Sequence, residues 1–196
     1  MDNPKPIVVI LAGPNGAGKS TAAPALLQGT LGVTEFVNAD AIARGLSAFN
    51  VDGVAIAAGR VMLQRLKTLS RQGTSFAFET TLASRTFAPW LDELRHGGYA
   101  VHLGFLWLSS PELAVQRVAD RVAMGGHAVP ESTVRRRYQR GLNNFLSVYR
   151  DRTDTWSFLD SSRSDLRLVA ERLPDGAVRV YDGGSWKRIV RHADKT

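Results

Sequence analysis

Residues 13–21 read Gly-Pro-Asn-Gly-Ala-Gly-Lys-Ser-Thr and fit the pattern G-x-x-x-x-G-K-[ST]. No other stretch of the chain restricts its fold as strongly. Such a string works only as a tight turn between a buried strand and the first turn of a helix. Its glycines let successive backbone N–H groups converge into a concave anion nest, with the positive end of the helix dipole behind them. The flanks agree. Residues 6–12, Pro-Ile-Val-Val-Ile-Leu-Ala, form a continuous apolar run suited to a strand buried on both faces. A helical pattern follows from Lys19 to about Leu31. The phosphate-binding candidates are therefore Gly13, Pro14, Asn15, Gly16, Ala17, Gly18, Lys19, Ser20 and Thr21. Lys19 suits the β- and γ-phosphates of ATP, and the Ser20 hydroxyl suits Mg²⁺.

Beyond this loop, short apolar runs alternate with longer segments of helical period. Strands are expected at 35–38, 75–78, 101–108 and 156–159, with helices at 52–71, 87–95, 111–122 and 130–148. On the long helix, Val54, Ala58, Val61, Leu66 and Leu69 form the expected inner face. This alternation predicts an α/β fold of the P-loop NTPase kind: a mostly parallel five-stranded sheet with helices on both faces. The tail, 166–173 and 178–182 around Pro-Asp-Gly-Ala, reads as a C-terminal β-hairpin. Trp186 to Val190 then forms a short amphipathic end. With 196 residues, 44% apolar, and no visible linker or repeat, one domain over 1–196 is expected.

Composition removes several chemistries. Without cysteine there is no disulfide or thiolate site, and the four histidines are too dispersed for a zinc cluster. No apolar run nears the ~20 residues of a membrane helix, and the start MDNPKP lacks a secretion signal, so a cytoplasmic protein is expected. The net charge of +7 favours anionic partners. No RNA-binding motif or interleaved aromatic pattern supports nucleic acid. Transporter ATPases would need an LSGGQ-type signature and GTPases an N-K-x-D reader. Neither is in the sequence, which leaves a small phosphotransferase.

In an open parallel sheet, ligands bind at the carboxyl ends of the strands. Asn38-Ala39-Asp40 follows the second strand, Glu79-Thr80-Thr81 the third, Ser109-Ser110 the fourth and Asp160-Ser161-Ser162 the fifth. Asp40 and Glu79 thus face the same cleft as the phosphate loop. A carboxylate there can orient a substrate hydroxyl and accept its proton. Two plainer roles compete: Asp40 as the N-cap of a turn at 41–44, and Glu79 as a strand-end acceptor for local N–H groups.

GPNGAGKST, NADAIA, FETTLA and WLSSPEL occur in an order that resembles the zeta-toxin-like family of P-loop kinases. The resemblance covers about Pro6 to Phe145. It implies a nucleoside-monophosphate-kinase-like fold and an ATP/Mg²⁺ kinase acting on a hydroxyl. In characterised members the acceptor is the 3′-hydroxyl of UDP-N-acetylglucosamine, and an antitoxin protein is a potential partner. By position, Asp40 matches the family's base, Glu79 a substrate-site acid beside Thr80, and Ser109 a substrate-site hydroxyl. The alternatives are another nucleoside, sugar or antibiotic kinase, or a regulatory ATPase without a small-molecule acceptor.

Arginines commonly neutralise the charge that develops during phosphoryl transfer. Arg121 ends a helix just before Gly125-Gly126-His127, which suggests a lid over about 121–131. Family members carry a second lid arginine, and His127 stands near its place. The following helix offers a replacement. Its apolar stripe is Val134, Tyr138, Leu142 and Phe145, flanked by Arg135 and Arg137, with Arg136 and Arg140 turned toward solvent. The string PESTVRRRY resembles the helix after the lid of adenylate kinases, which favours Arg137 over Arg136. The competing reading is a solvated basic face.

Overall fold

The computed structural model describes residues 5–51 and 53–193. Strand β1 (Ile7–Ala12) is central, and Val8 to Ala12 are each at most 5% exposed, which explains the unbroken apolar run. Helix α1 (Lys19–Ala23) leaves the phosphate loop and continues as wider, π-type turns over Pro24–Thr30 instead of the single α-helix expected. Pro24 has no N–H to return to the carbonyl four residues back, so the regular ladder fails there.

Next come β2 (Glu35–Val37), α2 (Ala39–Leu46), α3 (Ala55–Arg71) and β3 (Phe76–Thr80). Asp52, the expected start of α3, lies outside the described residues. The buried stripe of α3 is Ala58, Met62, Leu66 and Leu69. Val61 is 41% exposed, because it falls on the flank of that stripe while Met62 falls within it. Helix α4 (Ala88–His96), β4 (Ala100–Trp107), α5 (Pro111–Ala123) and α6 (Glu131–Asn144, extended by π-type turns to Tyr149) follow. The chain ends with β5 (Thr155–Asp160), β6 (Arg167–Arg172), β7 (Val178–Val180) and α7 (Gly183–Ala193).

The sheet order is β2-β3-β1-β4-β5-β6-β7. Strands β1 to β5 are parallel, as expected. The hairpin does not stand apart: β6 pairs antiparallel with β5, from Trp156↔Arg172 to Asp160↔Arg167, and β7 pairs with β6. The five-stranded sheet is thereby extended to seven. Burial accounts for this, since Val169 and Ala170 of β6 are almost fully enclosed. The Trp186 ring of α7 stacks on Trp156 at 5.6 Å, so the amphipathic end packs over this part of the sheet. Phe105, Phe145 and Phe158 meet at 5.0–5.2 Å beside them and fix α6 on the core. Among the described residues, no helix is long and apolar enough to cross a membrane.

Because β1 has β3 on one side and β4 on the other, the turn after β1 lies between two groups of strand ends. Residues after β2 and β3 lie on one side of it; those after β4 and β5 lie on the other.

Candidate active site

The phosphate loop is held by geometry only glycine allows at two points. At Gly13 (φ 140°) a Cβ would stand 2.2 Å from the Leu106 carbonyl oxygen. At Gly16 (φ 82°) it would stand 2.9 Å from that of Ala114. The loop is thus wedged between the end of β4 and α5. Ser161, after β5, donates its hydroxyl to the Ala17 carbonyl at 2.8 Å and ties down the far side.

Lys19 is 6% exposed. Its Nζ donates to the Gly13 and Pro14 carbonyls, both at 2.9 Å, and lies 3.5 Å from Glu79 Oε1. Burial pushes its pKa below the ordinary lysine value, while the charges of Glu79 and Asp40 pull it back up. Ser20 Oγ donates to Glu79 Oε2 at 2.7 Å. Asn38 Nδ2 donates to the same oxygen, also at 2.7 Å. Glu79 is thus bonded by groups from α1 and from the α2 N-terminus, not by local N–H groups at its strand end.

Asn38 caps α2, accepting from the Ala41 N–H at 2.9 Å. The cap expected at Asp40 therefore belongs to Asn38. Asp40 sits in the first turn, exposed, on the wall of a cavity of about 210 Å³. Asn15, Lys19, Asn38, Glu79, Thr80, Thr81 and Arg137 share that wall, with Met62 and Phe87 as its apolar part. The donor set suits the expected cofactors. The loop is an anion cradle, and the Ser20 hydroxyl with the Glu79 carboxylate offers oxygens of the kind Mg²⁺ takes. Among the described residues, no cluster of three or more His, Cys, Asp or Glu side chains forms a metal cage. A cation here would depend on phosphate oxygens for the rest of its shell.

The four clustered arginines separate clearly. Arg137 lines the cavity and reaches Asn15 Oδ1 at 3.5 Å. Arg136 and Arg140 are exposed, and Arg135 pairs with Glu112 (2.6 Å) and Glu131 (2.8 Å). Close packing brings Arg137 in. A Cβ at Gly141, one turn later, would stand 2.3 Å from the Thr81 carbonyl oxygen, so α6 touches backbone at the end of β3. Asn144 reinforces this by donating to the Leu82 carbonyl at 2.7 Å.

Arg121 does not line this cavity. Its Nη2 donates to the His127 carbonyl at 3.0 Å, and its charge opposes that of Lys19. A Cβ at Gly126 would meet Arg121 Cγ at 2.6 Å, so the 124–130 segment lies against this arginine. Ser109 is not brought to the cavity either. It follows β4, on the other side of the phosphate loop, and borders a separate cavity of about 150 Å³ with Tyr138 and Arg188. Its N–H donates to Ser162 Oγ at 2.8 Å.

Two side chains were not anticipated. Asn38 appeared in the sequence only as a strand-end neighbour of Asp40. Arg117, one turn before Arg121, donates to the Ser161 and Ser162 carbonyls at 2.7 and 3.0 Å and anchors the loop after β5. Its signal was the four-residue spacing to Arg121 on the same helix.

The family model described as Zeta toxin matches residues 1–160. The chain belongs to the zeta-toxin family. The match takes in all four strings that carry the resemblance, and the fold is that of the P-loop kinases. A Haemophilus influenzae protein described as uncharacterized is 28% identical over 130 residues, covering 66% of this chain and 91% of that one. Among solved structures, the AvrRxo1-ORF1:AvrRxo1-ORF2 complex with sulphate ions superposes with a TM-score of 0.77 at 18% identity. The match covers 96% of this zeta-toxin-family chain, which spans 64% of the length of that one. The PezAT toxin–antitoxin system of Streptococcus pneumoniae gives a TM-score of 0.64 at 15% identity, covering 100% of this chain and 87% of that one. At these identities the likeness is one of fold.

Proposed function

We propose that the chain is an ATP- and Mg²⁺-dependent kinase that phosphorylates a hydroxyl of a small molecule, with a nucleotide sugar such as UDP-N-acetylglucosamine as the leading acceptor. One observation carries this reading. A single cavity holds Lys19 of the phosphate loop, the Ser20-bonded Glu79, the Asp40 carboxylate and the Arg137 guanidinium. The family match supports phosphoryl transfer, and a structural neighbour of this fold was solved with ATP (TM-score 0.75, 17% identity).

In this reading the loop N–H groups and Lys19 bind and orient the ATP phosphates. Ser20 would hold Mg²⁺, which would supply positive charge to the ATP phosphates, and Glu79 fixes the Ser20 hydroxyl. Asp40 accepts the proton of the attacking hydroxyl from the first turn of α2. Arg137 and Arg121 meet charge that develops on the transferred group. The 121–131 segment acts as the lid of a single kinase domain, bringing Arg121 over the phosphates and excluding water. Thr80 belongs to the acceptor wall. Ser109 serves the acceptor only if the substrate extends across the phosphate loop. An antitoxin partner is part of the proposal, since the PezAT neighbour belongs to a toxin–antitoxin system.

The deciding experiment is acceptor-dependent ADP release, run over a panel of nucleotide sugars, nucleosides, free sugars and aminoglycosides. Release that rises with one acceptor class identifies the substrate. Release indifferent to every acceptor fits a regulatory ATPase and ends the kinase reading.

A further inference from the structure

Asn38 is 8% exposed and uses both ends of its amide. Oδ1 accepts from the Ala41 N–H, closing the first turn of α2. Nδ2 donates to Glu79 Oε2 at 2.7 Å and lies 3.4 Å from Ser20 Oγ. These partners fix the amide's orientation, because a flip would set an oxygen against a carboxylate and an NH₂ against an N–H. Helix capping alone does not select this residue. Serine and aspartate cap equally well, yet ionised aspartate has no donor and serine is too short to reach Glu79 while capping. The side chain is also a bonded link between two parts of the cavity. On one side is α2, whose first turn carries Asp40. On the other are Glu79 at the end of β3 and Ser20 at the start of α1.

We infer that Asn38 is a positioning residue that sets the distance between the acceptor-side carboxylate Asp40 and the phosphate-side pair Ser20–Glu79. This deepens the kinase reading and rests on it for the role of Asp40. Reactions that depend on a near-attack geometry lose about 10²-fold in rate for displacements of about 1 Å. Without the Nδ2 bond, α2 keeps its cap but loses its tie to β3. Glu79 keeps Ser20 but loses the second donor to Oε2.

The test uses Asn38→Ser and Asn38→Asp, both of which retain a capping oxygen. Thermal unfolding of both is expected within a few degrees of wild type. For acceptor phosphorylation, kcat is expected to fall about 10- to 100-fold, with KM for ATP changed by less than about threefold.

A second readout needs no acceptor: calorimetric ADP affinity with and without Mg²⁺. The enhancement by Mg²⁺ is expected to drop about tenfold in both variants, with metal-free affinity unchanged. Wild-type kcat and Mg²⁺ enhancement in both variants would overturn the assignment. So would a loss of kcat that is matched by a lowered melting temperature and leaves the Mg²⁺ enhancement intact, which marks a merely structural side chain. If wild type transfers to no acceptor, the kinase reading fails separately, and the Mg²⁺ enhancement alone decides whether Asn38 organises Ser20 and Glu79.

Discussion

Ser20 Oγ and Glu79 Oε2 lie 2.7 Å apart, joining the first turn of α1 to the end of β3 across 59 residues of sequence. The contact puts the candidate Mg²⁺ hydroxyl under the control of a carboxylate, which in turn is held by Lys19 and Asn38. Glu79→Gln keeps the shape and one acceptor oxygen but loses the charge. The Mg²⁺ concentration needed for half-maximal activity should rise about 10- to 100-fold, as for other residues that support a metal site through its ligand. A magnesium titration at saturating ATP checks this, and an unchanged midpoint would detach Glu79 from the metal.

The Lys19 ammonium bonds the Gly13 and Pro14 carbonyls of the phosphate loop. Lys19→Ala should lower nucleotide turnover by at least ~10²-fold, or ~2.7 kcal/mol of transition-state stabilisation. Steady-state kinetics together with ADP calorimetry would separate binding from turnover. Wild-type turnover would end the kinase reading.

In the proposed reaction Arg137 acts from α6, where it lines the cavity, and Arg121 from the end of α5, outside that cavity at the base of the proposed lid. Both would meet negative charge that grows during transfer. Arg121→Ala and Arg137→Ala should therefore each reduce kcat more than they raise KM for ATP. Arg136→Ala, at an exposed position of the same helix, should leave both constants within about twofold. Purely KM effects at Arg121 and Arg137 would show that neither meets the reacting group.

Two buried phenols predict alkaline sensitivity. Tyr138 donates to the Leu108 carbonyl and Tyr149 to that of Ser84, both at 2.6 Å, and burial raises both pKa values to about 12. An unfolded tyrosine titrates near ~10. Their contribution to stability is complete below about pH 10 and is lost as pH rises toward 12, because the unfolded chain releases the protons first. Denaturant melts between about pH 8 and 12 should show this decline. Tyr149→Phe, weaker by about 1 kcal/mol at neutral pH through its lost hydrogen bond, should decline less. Parallel curves for the two proteins would refute the assignment.

What the sequence made legible was what depends on near neighbours. The phosphate loop, the burial of β1 and the parallel strands follow from local pattern. The stripe of Val134, Tyr138 and Leu142 turned Arg136 outward, but it is flanked by Arg135 as well as Arg137, and the choice of Arg137 came from the resemblance of PESTVRRRY; Arg135 pairs instead with Glu112 and Glu131. What was hidden depends on partners far along the chain. Asn38-Ala39-Asp40 contains two residues that cap helices well, and the local reading named only Asp40 as a cap, whereas Asn38 holds that place. Glu79 chooses, by accepting the Asn38 amide. Ser109 read as a strand end like the others, but the sheet order puts β4 across the phosphate loop from β2 and β3. The hairpin was visible from Pro-Asp-Gly, whereas its pairing with β5 was not, because short strands carry little information about which edge they join.

Asp40 carries the most exacting prediction. It lies in the first turn of α2 on the cavity wall and, as the proposed base, must come within about 2.6–3.2 Å of the attacking oxygen. Asp40→Asn keeps the shape and removes the basicity. Since Asn38 is the cap, the substitution leaves the helix start intact and forfeits only a favourable charge near the helix N-terminus, about 0.3–1 kcal/mol. Folding and ATP binding should therefore stay close to wild type, while transfer to the acceptor should fall by about 10²- to 10⁴-fold. If Asp40 merely stabilises the first turn, the same variant shows a small loss of stability and a kcat within a few-fold of wild type. Rapid-quench transfer with the identified acceptor, measured beside a thermal melt, separates the two. Retained transfer would remove Asp40 as the base and make Glu79 the next carboxylate to test.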